Sequence, residues 1–381
     1  MIPLAIPNMC GNESKYLKQC IDTNFVSSVG KFVDRFENAM CESTNAKFAV
    51  ATNSGTSALH LALTVLGVTS NDLVIIPSFT FIASANSVRH TGASPILIDI
   101  DPLSWTMDPE VLEDFLSTEA KLIDNKLIHI KSKKHIKAIM PVFTLGNPAD
   151  MDPINVIAKK YKLHVIIDAA AGLGTTYKGR SLADISDMAT ISFNGNKIIT
   201  SGGGGMIVGN SNYFLSKARH LSTTARSSIN YDHDEVGFNY RLTNIQAAVG
   251  CAQIESLNKF LDTKRKIHLR YKEAFLNNEF FDTFPEAPWG KSSHWFSGVV
   301  LKKENKDFNV NYLVKKLEMN GIQSRPFWKP VHLQRPYSKC YRSSMNNCDS
   351  IWSRVLTLPC STNLTEMEQE KVIKVLKKVT H

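Results

Sequence analysis

Between residues 47 and 208, short apolar, β-branched runs recur. Each is closed by a glycine or polar turn and followed by a stretch that reads as helical. The runs cover residues 48–51, 73–76, 95–98, 138–142, 164–167, 189–192 and 205–208. Seven such runs separated by helices predict an α/β fold with a mostly parallel, seven-stranded sheet sandwiched by helices. After Thr243 the pattern changes to one long helix, 245–260, with apolar residues three and four apart. Beyond it lie several prolines, scattered aromatics, a strand-like run at 296–301 and a charged helix after Thr365, which predict a smaller α+β C-terminal domain. The expected division is a large domain of residues 1–253 and a small domain of 254–381. A chain of 381 residues has ample length for two such units at roughly 150 residues each.

Composition narrows the class. Apolar residues make up 43% and charged residues 21%, the mix of a soluble globular protein, which disfavours disorder, collagen-like repeats and a coiled-coil rod. No apolar run reaches the roughly 18 residues of a spanning helix, and Met1-Ile2-Pro3-Leu4 lacks the features of a signal peptide, so a cytoplasmic protein is expected. Seven scattered cysteines without a Cys-x-x-Cys pair argue against a disulfide scaffold or zinc ribbon. The net charge of +9 does not choose a partner by itself. Lys121, Lys126, Lys131, Lys133, Lys134 and Lys137 crowd one segment but lack interleaved aromatics for base stacking. They read as a solvated face, so neither nucleic acid nor a membrane is expected as a partner.

Four features carry candidate chemistry, each at the end of an apolar run, where open parallel sheets bind ligands. Thr52-Asn53-Ser54-Gly55-Thr56-Ser57 opens an apolar helix. Glycine there admits close approach of an anion, and the free N–H groups of a helix start stabilise phosphate. Asp168 ends a buried run, where a carboxylate needs a cationic partner such as a protonated pyridine. Lys197 stands between Ser192-Phe193-Asn194-Gly195-Asn196 and the run Gly202-Gly203-Gly204-Gly205, placed to become a Schiff-base nucleophile beside a flat ligand. Gly237-Phe238-Asn239-Tyr240-Arg241 introduces the long helix, with an amide and a guanidinium able to reach a phosphate. Singly, each has an ordinary structural explanation as a cap, a turn or an exposed loop. Together and in this order they match pyridoxal 5'-phosphate (PLP), which needs an amine, an acid for its ring nitrogen and an anion site.

The sequence resembles the DegT/DnrJ/EryC1/StrS sugar aminotransferases of the aspartate aminotransferase fold type over nearly its whole length. The resemblance runs from Asn24-Phe25-Val26-Ser27-Ser28-Val29-Gly30-Lys31 through Gly55-Thr56-Ser57-Ala58, Pro77-Ser78-Phe79-Thr80-Phe81, Asp168-Ala169-Ala170 and Ser192-Phe193 with Lys197. It ends with Arg325-Pro326, Pro330-Val331-His332 and Leu358-Pro359. It implies that Lys197 carries the cofactor as a Schiff base and shuttles the proton, and that Asp168 pairs with the ring nitrogen. Gly55, Thr56, Ser57 and Ser192 would hold the phosphate and Phe81 would stack on the ring. Asn239 and Arg241 would reach the phosphate region of a neighbouring subunit's site, which implies a homodimer with shared active sites.

Relatives usually carry Gln, His or Glu three residues after the aspartate, where this chain has Ala171, and Asn194 or Asn196 is expected to compensate. Members with histidine in place of the lysine dehydrate their sugar, so Lys197 implies aminotransfer. L-Glutamate would convert PLP to the pyridoxamine form (PMP), which then aminates a nucleotide-linked keto sugar. Residues 26–33 and 193–197 look most like the branch acting on UDP-linked 4-keto-6-deoxy-N-acetylhexosamines, in the biosynthesis of bacterial surface amino sugars. Lys31, Arg226, Arg325 and His332 are the candidate substrate contacts. A dTDP-linked or 3-keto 6-deoxy sugar is the alternative. A dinucleotide-dependent oxidoreductase is disfavoured because Tyr177 fills the third glycine position after Gly172-Leu173-Gly174. No metal site is expected, since the four consecutive residues Asp232-His233-Asp234-Glu235 do not converge easily on one ion.

Overall fold

The computed structural model describes residues 1–379. In chain order its first ten strands are β1 (Phe48–Thr52), β2 (Asp72–Pro77), β3 (Ser94–Ile98), β4 (Ala120–Ile123), β5 (Lys126–His129), β6 (His135–Ile139), β7 (His164–Asp168), β8 (Thr176–Tyr177), β9 (Met188–Ser192) and β10 (Gly205–Gly209). All but β8 form one sheet, whose main path runs β1-β10-β9-β7-β6-β2-β3. The seven strands on that path are the seven apolar runs. The neighbours β9, β7, β6, β2 and β3 are parallel, whereas β10 is antiparallel to both β1 and β9. The parallel strands are buried along most of their length because helices cover both faces.

Four expectations need correction. β6 begins at His135 instead of 138, and its expected end continues as single pairings, with Met140 N–H donating to Ile75 O. The lysine-rich segment contains an antiparallel hairpin, β4–β5, that widens the sheet to nine strands. No helix separates β9 from β10: a tight loop carries Lys197 between them. The single long helix is two, Asn244–Ile254 and Leu257–Ala274. We propose the division at 253/254 as the domain boundary, beside that break.

The remaining strands are β11 (Phe281–Thr283), β12 (Gly290–Lys291), β13 (Ser297–Leu301), β14 (Arg325–Pro326) and β15 (Val355–Leu358). Four of them form an antiparallel sheet ordered β11-β13-β15-β14, while β12 pairs with β8 in a separate two-stranded ribbon that ties this region to the N-terminal part of the chain. The chain start also joins it: Ile2 N–H donates to Gly321 O and Cys360 N–H to Leu4 O. One contiguous apolar core runs through both parts. The closing helix Glu366–Lys378 starts at a capping box in which Thr365 and Glu368 satisfy each other's backbone N–H groups.

Candidate active site

Thr52, Gly205 and Ser192 face one another across β1, β10 and β9 at the carboxyl edge of the sheet, so three chain segments converge there. Next to Thr52 the helix Gly55–Val65 begins, and Ser54 caps it by accepting the Ser57 N–H at 3.0 Å. Among the described residues the N–H groups of Gly55 and Thr56 keep no partner, and both residues line a cavity of about 580 Å³. A Cβ on Gly55 would stand 2.8 Å from the Ser192 Cβ, so only glycine fits there. Gly204, at φ +101°, lines the same wall; a Cβ there would meet Leu242 at 2.7 Å.

Asp168 ends β7 at the cavity, 4% exposed. Its carboxylate accepts the Ser84 hydroxyl at 2.6 Å and the Ala170 N–H at 3.0 Å. Burial raises it above the usual carboxylate range against these bonds and the charge of Lys197. Lys197 projects from the β9–β10 loop, which is tied down by Lys197 N–H to Asn194 O, Ser201 N–H to Phe193 O and the Thr200 hydroxyl to Phe193 O. Burial lowers its amine to about 8, opposed by Asp168. Phe81, 53% exposed, stands at the rim with its ring 5.7 Å from that of Trp328.

The cavity therefore gathers Lys197, Asp168, Gly55, Thr56, Ser192, Phe81 and Arg325. Ser57 lies within the first helical turn, its hydroxyl 2.8 Å from that of Ser54 and off the wall. Asn239 and Arg241 are exposed and outside this cavity, but their backbone runs beside the cradle, with Asn53 N–H donating to Tyr240 O and Thr52 bridging to Arg241. Lys31 is exposed at the start of the helix Lys31–Thr44, and Arg226 is exposed against Tyr231. Neither lines the cavity. His332 is not brought to the cavity: it is 4% exposed, with Nδ1 2.7 Å from the Ser78 hydroxyl and Nε2 2.9 Å from Asp349. Asn194 and Asn196 both line the cavity near Ala171. The residues that sequence reasoning missed are Trp295, Gln323 and Trp328, contributed by the C-terminal region. The run Arg325-Pro326-Phe327-Trp328-Lys329-Pro330 carried that signal in its two aromatics beside a quoted motif.

The groups behind the rival readings have other partners among the described residues. Tyr177 is fully buried within β8, its hydroxyl bonded to Asp150, so the Gly172-Leu173-Gly174 turn does not open a dinucleotide cradle. Asp232, His233, Asp234 and Glu235 each engage a different group: Ser228, Thr224 O, His220 and Lys217. His268, Glu286 and His294 do cluster, but Lys272 already holds Glu286 at 2.7 Å and the two imidazoles stack at 4.1 Å.

The model of the DegT/DnrJ/EryC1/StrS aminotransferase family matches residues 7–377. The chain belongs to this family. It is 39% identical to the GDP-perosamine synthase of Caulobacter vibrioides over 99% of this chain and 98% of that one. It is 32% identical to the UDP-4-amino-4,6-dideoxy-N-acetyl-beta-L-altrosamine transaminase of Campylobacter jejuni over 91% and 88%. Among solved structures it resembles a family aminotransferase from Brucella abortus, at 27% identity and TM-score 0.88, covering 97% of this chain and 95% of that one. The chain is thus a PLP-dependent sugar aminotransferase, and its residues fit the cofactor. A buried acid without a cationic bond faces the same cavity as an amine of lowered basicity and a helix start whose N–H groups are free.

Proposed function

We propose that the chain transfers the amino group of L-glutamate to the 4-keto carbon of a nucleotide-linked 4-keto-6-deoxy sugar. The observation that carries this reading is the convergence of Lys197, Asp168 and the Gly55–Thr56 helix start on one cavity that also contains Arg325 and Gln323. When bound, PLP supplies an electron-withdrawing ring that stabilises negative charge at the carbon losing its proton. The free N–H groups of Gly55 and Thr56, with the Ser192 hydroxyl, would hold its phosphate. Asp168 would keep the ring nitrogen protonated, its own orientation set by Ser84 and Ala170. The Lys197 amine, neutral in an appreciable fraction of molecules near pH 7, would move the proton from the donor carbon to the cofactor carbon and, in the second half-reaction, from the cofactor carbon to the acceptor carbon. Phe81 and Trp328 exclude water from one wall, and Arg325, exposed in the cavity, meets the nucleotide's phosphates.

The UDP-linked 4-keto-6-deoxy-N-acetylhexosamine is the substrate suggested by the sequence motifs. A GDP-linked 4-keto sugar is a second reading, favoured by the greater similarity to the Caulobacter GDP-perosamine synthase than to the Campylobacter UDP-sugar transaminase. Incubation with L-glutamate and matched UDP-, GDP- and dTDP-linked 4-keto-6-deoxy sugars, read by product mass, separates them. Amination of one nucleotide series is expected, and amination of none would overturn the reading. We also propose a homodimer. Phe25, Val26, Val29, Ile229, Tyr231 and Val236 are exposed apolar residues on the two loops that flank Lys31 and precede Asn239, a surface suited to a second copy.

A further inference from the structure

The amine of Lys197 rests on an aromatic face. Its Nζ lies 3.8 Å from the centroid of the Trp295 ring, and no hydrogen bond or ion pair of this amine occurs among the described residues. Trp295 is 2% exposed and pinned on three sides. Its N–H donates to Leu145 O at 3.0 Å, its indole Nε1–H donates to Asn196 O at 2.6 Å, and its carbonyl accepts the Lys264 ammonium at 2.9 Å. Lys264 is itself 3% exposed and shares that ammonium with Cys360 O at 2.6 Å, so a buried cation braces the tryptophan from behind. One side chain therefore touches two neighbours in sequence: it bonds the backbone of Asn196 and receives the amine of Lys197.

An indole face attracts an ammonium through the ring quadrupole, most strongly where water is excluded. That attraction opposes burial, which drives the amine toward its neutral form. We propose that Trp295 is the positioning residue of Lys197: its N–H fixes the loop at Asn196, and its ring holds the charged amine in line with the cavity. The inference rests on Lys197 as the cofactor-bearing lysine, but its test reads the amine itself and does not depend on any sugar being aminated.

The full-length protein, freed of cofactor, is labelled with trinitrobenzenesulfonate across a pH series, and modification of Lys197 is followed by peptide mass spectrometry. The natural protein should show a midpoint near 8. Fluorinated tryptophans at position 295 keep the shape and burial but weaken the face stepwise. The midpoint should fall with each fluorine, by about one pH unit for the fully fluorinated ring. Trp295→Phe, with a weaker face and no N–H, should lower it by a smaller amount while the melting temperature stays within a few degrees of the parent. A midpoint that stays flat or rises along the fluorinated series overturns the proposal. A rise in Trp295→Phe, folded as judged by its melt, does the same.

Discussion

Asp168 and Lys197 occupy one cavity without an ion pair between them among the described residues, and each is shifted mainly by burial. For Asp168 the shift is upward. An unfolded carboxyl titrates near 3.8, so the cost of ionising it in the fold is absent below that pH and grows as pH rises toward the folded value. Asp168→Asn should therefore raise the melting temperature of the cofactor-free protein at neutral pH by a few degrees. The same variant should slow the glutamate half-reaction about 100-fold or more, because the ring nitrogen loses its counter-charge. Paired melting scans and stopped-flow traces check both, and unchanged values would remove Asp168 from its role. For Lys197 the shift is downward, to about 8. At pH 7 about a tenth of the molecules carry the neutral amine, against about one in three thousand for an unshifted lysine at 10.5. The rate at which PLP combines with the cofactor-free protein should rise about tenfold between pH 7 and 9 and then level. A rise of about 100-fold without levelling is the behaviour of an unshifted lysine.

The cradle is an element-scale device, a strand end, a capped helix start and a glycine where an added Cβ would collide with Ser192. Ser54→Ala should cost about 1 kcal/mol of stability through the lost cap. Gly55→Ala places a Cβ 2.8 Å from Ser192, so PLP affinity, read by fluorescence titration, should drop tenfold or more while circular dichroism stays native. His332→Ala should behave oppositely. It leaves Ser78 and Asp349 without their shared partner, costs about 1–3 kcal/mol in a thermal melt and spares the sugar KM. These parts were not equally visible in the sequence. The seven strands, the cradle, Asp168 and Lys197 were legible because a short apolar run followed by a turn is a local signal. The break after Ile254 was not, since Ile254, Leu257, Phe260 and Leu261 keep the helical spacing on both sides of it. The β4–β5 hairpin left a signal in Asp124-Asn125, both at positive φ, but the lysines around it read as a solvated face. Trp295 reaches the cavity from the segment between β12 and β13, far along the chain from Lys197, and no local pattern encodes that meeting.

At the scale of the molecule, no helix of the described residues is long and apolar enough to cross a membrane. Asn239 and Arg241 stand exposed beside Asn53, outside their own chain's cavity and next to the apolar loops. If they serve a second copy's phosphate site, Lys197→Ala and Arg241→Ala should each be inactive alone. Mixed and reassociated, they should recover about a quarter of the natural activity, since half the dimers then hold one intact site. No recovery on mixing, with dimers confirmed by light scattering, would contradict shared sites. The assignment of the site itself is decided by the visible absorption spectrum of the full-length protein reconstituted with PLP, before and after L-glutamate. A band that forms with PLP, is absent in Lys197→Ala and is bleached by glutamate is the expected result. A band that glutamate leaves unchanged, or no band in the natural protein, would contradict it.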